Sequence, residues 1–239
     1  MSSSEIVLPP TPYGTAAEAA PVVLGTGSAA PRQLSNQNGV SRYMAVLERV
    51  AVRATPSSSA RVVARLSTRT PEGTTNVVLA LSRVERSGTL WIKARLPVLP
   101  NNTTGWIKRD SLGGYNVVNT HLVVSTTKFT ATLYRLGRPV FTARVGVGRS
   151  RWPTPTGRFY IRNKLTKYSS PTYGPLAFGT SARSAVLTDW PAGGFVGIHG
   201  TNQPGLIPGR ISHGCIRLRN ADILRLAALM APGTPLTVV

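Results

Sequence analysis

The sequence predicts a mainly β protein, and three observations carry that expectation. Short apolar runs of strand length recur from Val50 onward, each bounded by a turn cluster such as Thr55-Pro56-Ser57-Ser58-Ser59. Alternation with period two is clear in Phe129, Ala131 and Leu133 against Thr130, Thr132 and Tyr134. Helical spacing is found near the C-terminus, where Ile223, Leu226, Ala227 and Met230 recur as the face of one short amphipathic helix.

Taken in order, residues 1–44 are rich in Ser, Ala, Pro, Gly and Thr without a sustained period and are expected to be a flexible leader or linker. Strands are predicted at Val50–Arg53, Arg61–Leu66, Thr75–Ser82, Leu90–Arg95 and Gly105–Lys108, a density that suggests a small barrel. Trp91 and Trp106 are read as core or interface rather than as a ligand platform. Gly113-Gly114 marks a boundary.

Beyond it, Leu122–Leu136 and Pro139–Val147 are expected to form a hairpin turning at Gly137-Arg138. His121, at its start, reads as an ordinary surface histidine. The Trp152-Pro153-Thr154-Pro155-Thr156-Gly157 turn leads into a strand at Arg158–Ile161. Residues 164–190 show no period and are expected to be a binding loop or lid. Asn220 is the predicted N-cap of the helix, with Asp222 in its first turn. Leu236–Val239 reads as a closing strand.

Apolar residues make up 41% of the 239, enough for a real core. Basic residues number 28 against 8 acidic ones, a net charge of +20. That excess points to an anionic partner or surroundings. The cations are scattered singly, without the basic run or aromatic-interleaved patch that marks a nucleic-acid binder, so nucleic acid is not the expected partner. No stretch reaches the ~18 apolar residues of a membrane span. The N-terminus lacks a basic region followed by an apolar core, so no secretory signal is visible.

Ile198 to Asn220 holds the chain's single cysteine, Cys215, and two of its three histidines, His199 and His213. A thiol is nucleophilic as thiolate, and an unassisted cysteine is only a few per cent ionised at neutral pH. Gly214 permits a tight turn beside the sulfur, where amide N–H groups can face an oxyanion. Arg217 shares a strand face with Cys215 and can favour thiolate or hold a substrate carboxylate. His199, at the end of the apolar run Gly194–Ile198, and His213, two residues before the thiol, are both candidates for the proton-transferring imidazole. A buried, inert cysteine is the plain alternative for an isolated residue. A zinc site is disfavoured by the absence of paired ligand spacing, so no metal is expected.

Val52-Arg53-Ala54-Thr55-Pro56, Trp91-Ile92-Lys93 and Gly105-Trp106-Ile107-Lys108 resemble a bacterial SH3-like (SH3b) domain, here assigned to 45–115. Ser212-His213-Gly214-Cys215-Ile216-Arg217-Leu218 with Asn220, preceded by His199-Gly200-Thr201-Asn202, closely resembles the signature of L,D-transpeptidases of the YkuD type. The Thr154–Gly157 turn and Tyr173-Gly174-Pro175 are also similar to that family, and the catalytic domain is assigned to 118–239. The resemblance implies an SH3-like barrel followed by a YkuD-type β-sandwich.

It further implies Cys215 as nucleophile, His199 as general base and acid, and the Gly200 carbonyl as the group orienting the imidazole. His213, Gly214 and Arg217 would shape the thiolate's surroundings, with Tyr173, Ser212 and Asn202 toward substrate. The implied reaction is 3→3 cross-linking of peptidoglycan stem peptides through a thioester with loss of D-alanine, in the cell envelope and beside an anionic wall, with sensitivity to carbapenems. A carboxypeptidase or wall hydrolase using water as acceptor, or a non-catalytic wall-binding protein, are the rivals.

Overall fold

The computed structural model describes residues 30–36, 39–166, 170–187 and 194–239. Its strands lie in two sheets. The first contains β1 (Arg32–Gln33), β2 (Ser41–Ala45), β3 (Val50–Arg53), β4 (Val62–Leu66), β5 (Val77–Arg86), β6 (Thr89–Arg95), β7 (Thr104–Lys108) and β8 (Asn116–Val118). Its order is β4-β3-β7-β6-β5-β2-β8, with β1 also on β5. Alternation sends Met44, Val52, Val78, Ile92 and Ile107 into one core. Trp91 and Trp106 bury against Val84 in a smaller cluster.

Two boundaries differ from the sequence reading. β1 and β2 lie inside the stretch read as leader, and β8 lies just past residue 115, where it pairs with β2 at Ser41↔Val118. A two-residue and a three-residue strand are too short to show a period, and β2 is recognisable only through its partners on both sides. Residues 1–29 of the expected leader lie outside the described residues.

The second sheet contains β9 (Thr120–Ser125), β10 (Thr130–Arg135), β11 (Arg138–Arg144), β12 (Gly146–Gly148), β13 (Gly157–Leu165), β14 (Ala177–Arg183), β15 (Phe195–His199), β16 (Gly209–Ser212), β17 (Ile216–Arg217) and β18 (Pro235–Val238), with helix α1 at Asn220–Leu229. The order is β11-β10-β9-β18-β13-β14-β15-β17-β12-β16. β13 is the hinge of this path. Its first half pairs with β18, and its second half pairs with β14 across a register shift between Ile161 and Asn163. The two halves of the path therefore share one core, in which Leu122, Leu133 and Phe159 meet Phe178, Ile198 and Ile216, closed by Ile223 and Leu226 of α1.

The expected first hairpin arm, Leu122–Leu136, is two strands. Ser125 Oγ accepts the Lys128 N–H, and Phe129 takes a φ of 53°, so the chain reverses between β9 and β10. The next reversal is centred on Leu136-Gly137, both at positive φ, one residue earlier than expected. His121 is not a plain surface histidine: it is half-buried and its Nε2 lies 2.8 Å from Thr237 Oγ1. Residues 164–190 are not irregular throughout, because β14 occupies their middle. Residues 167–169 and 188–190 of that stretch lie outside the described residues. No helix among the described residues is long and apolar enough to cross a membrane.

The two sheets meet over Tyr160, fully buried against Val77 and Leu79, whose hydroxyl donates to the Val77 carbonyl at 2.9 Å. Beside it Arg162 Nη2 binds Glu72 at 2.8 and 2.9 Å, and Asn163 Nδ2 donates to Glu72 and Thr74. Asn101 exchanges two hydrogen bonds with the Arg183 backbone.

Candidate active site

β15 and β17 run parallel in the register Ile198↔Ile216 and His199↔Arg217. Cys215 therefore sits just ahead of β17, abreast of Gly197, whose N–H donates to Sγ at 3.4 Å. A Cβ on Gly197 would lie 3.8 Å from both Cys215 Sγ and His199 Cδ2. The thiol and the imidazole thus flank one side-chain-free point of β15. His213, the other candidate imidazole, is exposed and packs on Trp152 with ring centroids 4.3 Å apart.

The turn that presents the sulfur is held by two hydroxyls. Ser212 Oγ donates to the Cys215 carbonyl at 2.5 Å and accepts the Gly214 N–H at 3.1 Å. Thr154 Oγ1 donates to the Gly214 carbonyl and accepts the Gly148 N–H, both at 2.8 Å. Gly214 has φ +116°, a conformation that side chains disfavour. These bonds alter two expectations. Ser212 lines the cleft but is fully buried and committed to the turn, and the Gly214 N–H is engaged by Ser212 rather than aimed at an oxyanion.

His199 is only 2% exposed, and its Nδ1 lies 2.6 Å from the Gly200 carbonyl. A carbonyl only accepts, so Nδ1 carries the ring proton and Nε2 keeps a lone pair. Tyr173 packs edge-on against the ring at 4.6 Å. Burial holds the imidazole pKa down to about 4; the Gly200 bond opposes this and Arg217 adds to it. Burial pushes the Cys215 thiol up, against the opposing pull of the Gly197 N–H and then Arg217. Arg217 pulls the thiol toward thiolate, and desolvation, the larger effect, pulls it the other way.

Arg217 itself is half-buried, and its Nε has no hydrogen-bond partner among the described residues. Asn202 is exposed in the loop after β15 and is not part of the cleft wall. Asn220 is the first residue of α1 rather than its N-cap. Its Oδ1 accepts the Thr201 N–H at 2.9 Å and so ties the loop after His199 to the helix.

The cleft has a volume of about 230 Å³, and Tyr173, His199, His213, Cys215 and Arg217 all open on it. The sequence reading missed Thr154 as a support of the thiol turn, and Phe195 and Leu187 as cleft walls. The only local sign of Thr154's role is its place in a rigid Pro-Thr-Pro-Thr-Gly turn.

The family model for the L,D-transpeptidase catalytic domain, YkuD, matches residues 119–238. The chain belongs to the YkuD family of L,D-transpeptidase catalytic domains. It is 36% identical to YkuD of Bacillus subtilis (strain 168) over 118 residues, covering 49% of this chain and 65% of that protein. It is 34% identical to YkuD of Bacillus licheniformis over 117 residues, covering 49% of this chain and 64% of that protein. The matched stretch thus spans less than two thirds of either relative. Among solved structures, the catalytic domain of the E. faecium L,D-transpeptidase aligns at 24% identity and a TM-score of 0.39, over 50% of this chain and 96% of that one.

Proposed function

We propose that the chain is a peptidoglycan L,D-transpeptidase that forms 3→3 cross-links through a Cys215 thioester. The observation that carries this reading is the convergence of Cys215 Sγ and the His199 ring on Gly197, with Nδ1 of that ring held by Gly200. His199 Nε2 takes the thiol proton as the sulfur attacks the carbonyl of the third residue of a tetrapeptide stem. The C–N bond to D-alanine breaks, and the leaving amine takes the proton back from His199. An amine of a second stem then attacks the thioester and gives its proton to His199. The new amide forms as sulfur departs, and the thiol is reprotonated.

The Nδ1 hydrogen bond to the Gly200 carbonyl leaves Nε2 as the ring's acceptor, which supports general-base attack. Arg217, a cleft cation whose Nε has no partner among the described residues, supports capture of a substrate carboxylate. Stem peptides of donor and acceptor are the partners in this reading, which also assigns the protein to the cell envelope. The net charge of +20 suits an anionic wall.

The test is incubation with a purified disaccharide-tetrapeptide and mass spectrometry of the products. Cross-linked dimer that has lost one alanine is the expected outcome, whereas tripeptide alone would assign water as the acceptor. Unchanged turnover by Cys215→Ala would sink the thiol mechanism. A carbapenem is expected to add its mass to the intact protein and not to Cys215→Ala.

A further inference from the structure

One residue borders two neighbouring hollows of the molecule. Phe195, which lines the catalytic cleft, also lines a groove of about 440 Å³ between the two sheets. Arg65 and Arg69 of the first sheet side and Arg162 and Arg183 of the second border this groove. The guanidinium carbons of Arg162 and Arg183 lie 3.6 and 4.8 Å from the centroid of the Phe195 ring, so both cations sit at the junction with the cleft. No carboxylate lines the groove among the described residues. Glu72, behind Arg162, has both oxygens taken up by Arg162 and Asn163.

One buried donor of a groove-lining residue, Arg162 Nε, has no hydrogen-bond partner among the described residues. Buried polar groups are nearly always satisfied, so an incomplete wall marks a place completed by something else. The cleft, at about 230 Å³, is smaller than the ~300–1,000 Å³ that a drug-sized ligand fills, and a stem peptide must run beyond it. The adjoining basic groove offers that continuation.

We propose that the Arg65–Arg69–Arg162–Arg183 groove is an anion subsite that holds a free carboxylate of the peptide whose reacting part lies in the cleft. This rests on the functional reading above for the identity of the peptide. Arg65 and Arg69 are exposed, so they lend charge without bracing the core. The N-terminal sheet thereby contributes directly to substrate selection.

The test is calorimetric titration of the full chain carrying Cys215→Ala, which cannot turn over, with the tetrapeptide stem in free-acid and fully amidated forms. Arg65→Gln with Arg69→Gln is expected to weaken binding of the free-acid peptide by roughly three- to tenfold. Removing the same charge at the exposed edge hairpin, with Arg135→Gln and Arg138→Gln, is expected to leave it unchanged. The amidated peptide should bind the chains with and without Arg65 and Arg69 alike. An equal loss in the edge-hairpin pair, no loss at all, or a loss that persists with the amidated peptide would overturn the subsite. Competition by a glycerol-phosphate oligomer, with amidation having no effect, would also overturn it and reassign the groove to phosphate. Product formation by the Cys215 chain is measured separately, and its absence would defeat the functional reading whatever the titration gives.

Discussion

Burial drives the pKa values of Cys215 and His199 in opposite directions, raising the thiol and holding the imidazole down to about 4. The rate of alkylation of Cys215 by iodoacetamide is therefore expected to keep rising through pH 8 rather than level off below pH 7. Arg217→Ala should slow it at a given pH, because the guanidinium lowers the thiol pKa. An alkylation profile unmoved by that substitution would assign Arg217 to substrate alone. His199 also links folding to pH. Its folded pKa of about 4 lies below the ordinary 6.5, so the fold favours the neutral ring. The corresponding stability is present above pH ~6.5 and is lost as pH falls toward 4. Urea unfolding at pH 7 and pH 4.5 should show the drop, and His199→Gln should shrink the difference. Thr154→Val removes two buried hydrogen bonds at the thiol turn and should cost about 1–3 kcal/mol in the same assay.

At the scale of elements, the site is a consequence of one parallel pairing, β15 with β17, and of the link from α1 to the loop after His199. Asn220 provides that link through Oδ1. Asn220→Ala leaves the Thr201 N–H without its acceptor and should destabilise the protein by about 1–2 kcal/mol, with a larger loss of acylation rate because the Gly200 carbonyl is released. Asn220→Asp keeps the acceptor and should restore most of both. Acylation by a carbapenem, followed by intact mass, reads the rate, and equal losses in the two variants would remove Asn220 from this role.

For the whole molecule, the junction between the sheets joins β13 to the first sheet side through Tyr160, Arg162 and Asn163. Glu72→Ala leaves Arg162, 2% exposed, without its counter-ion. Breaking a buried pair in this way costs about 3–5 kcal/mol, whereas replacing both partners by apolar residues is often near neutral. Urea unfolding of Glu72→Ala against the Glu72→Leu/Arg162→Met pair checks this. A small loss in the single variant would show that the junction is not held by the ion pair.

The β content, the amphipathic helix near the C-terminus and the residues able to do the chemistry are all legible in the linear pattern. Strand alternation and helical spacing are local, and Cys215 with its neighbouring histidines stands out by rarity. Spacing separated His199 from His213 only in part, through the apolar run that ends at His199, and the resemblance of the motif assigned the roles. Features that depend on residues distant in the chain emerge only from the packed fold. The parallel register puts His199 beside the sulfur and leaves His213 on Trp152. Thr154 grips a turn 60 residues away. Strands of two or three residues, such as β1 and β8, exist only because longer partners supply their hydrogen bonds. Above all, the directions in which the thiol and imidazole pKa values move follow from desolvation, and desolvation is set by everything that packs around a group rather than by its neighbours in sequence.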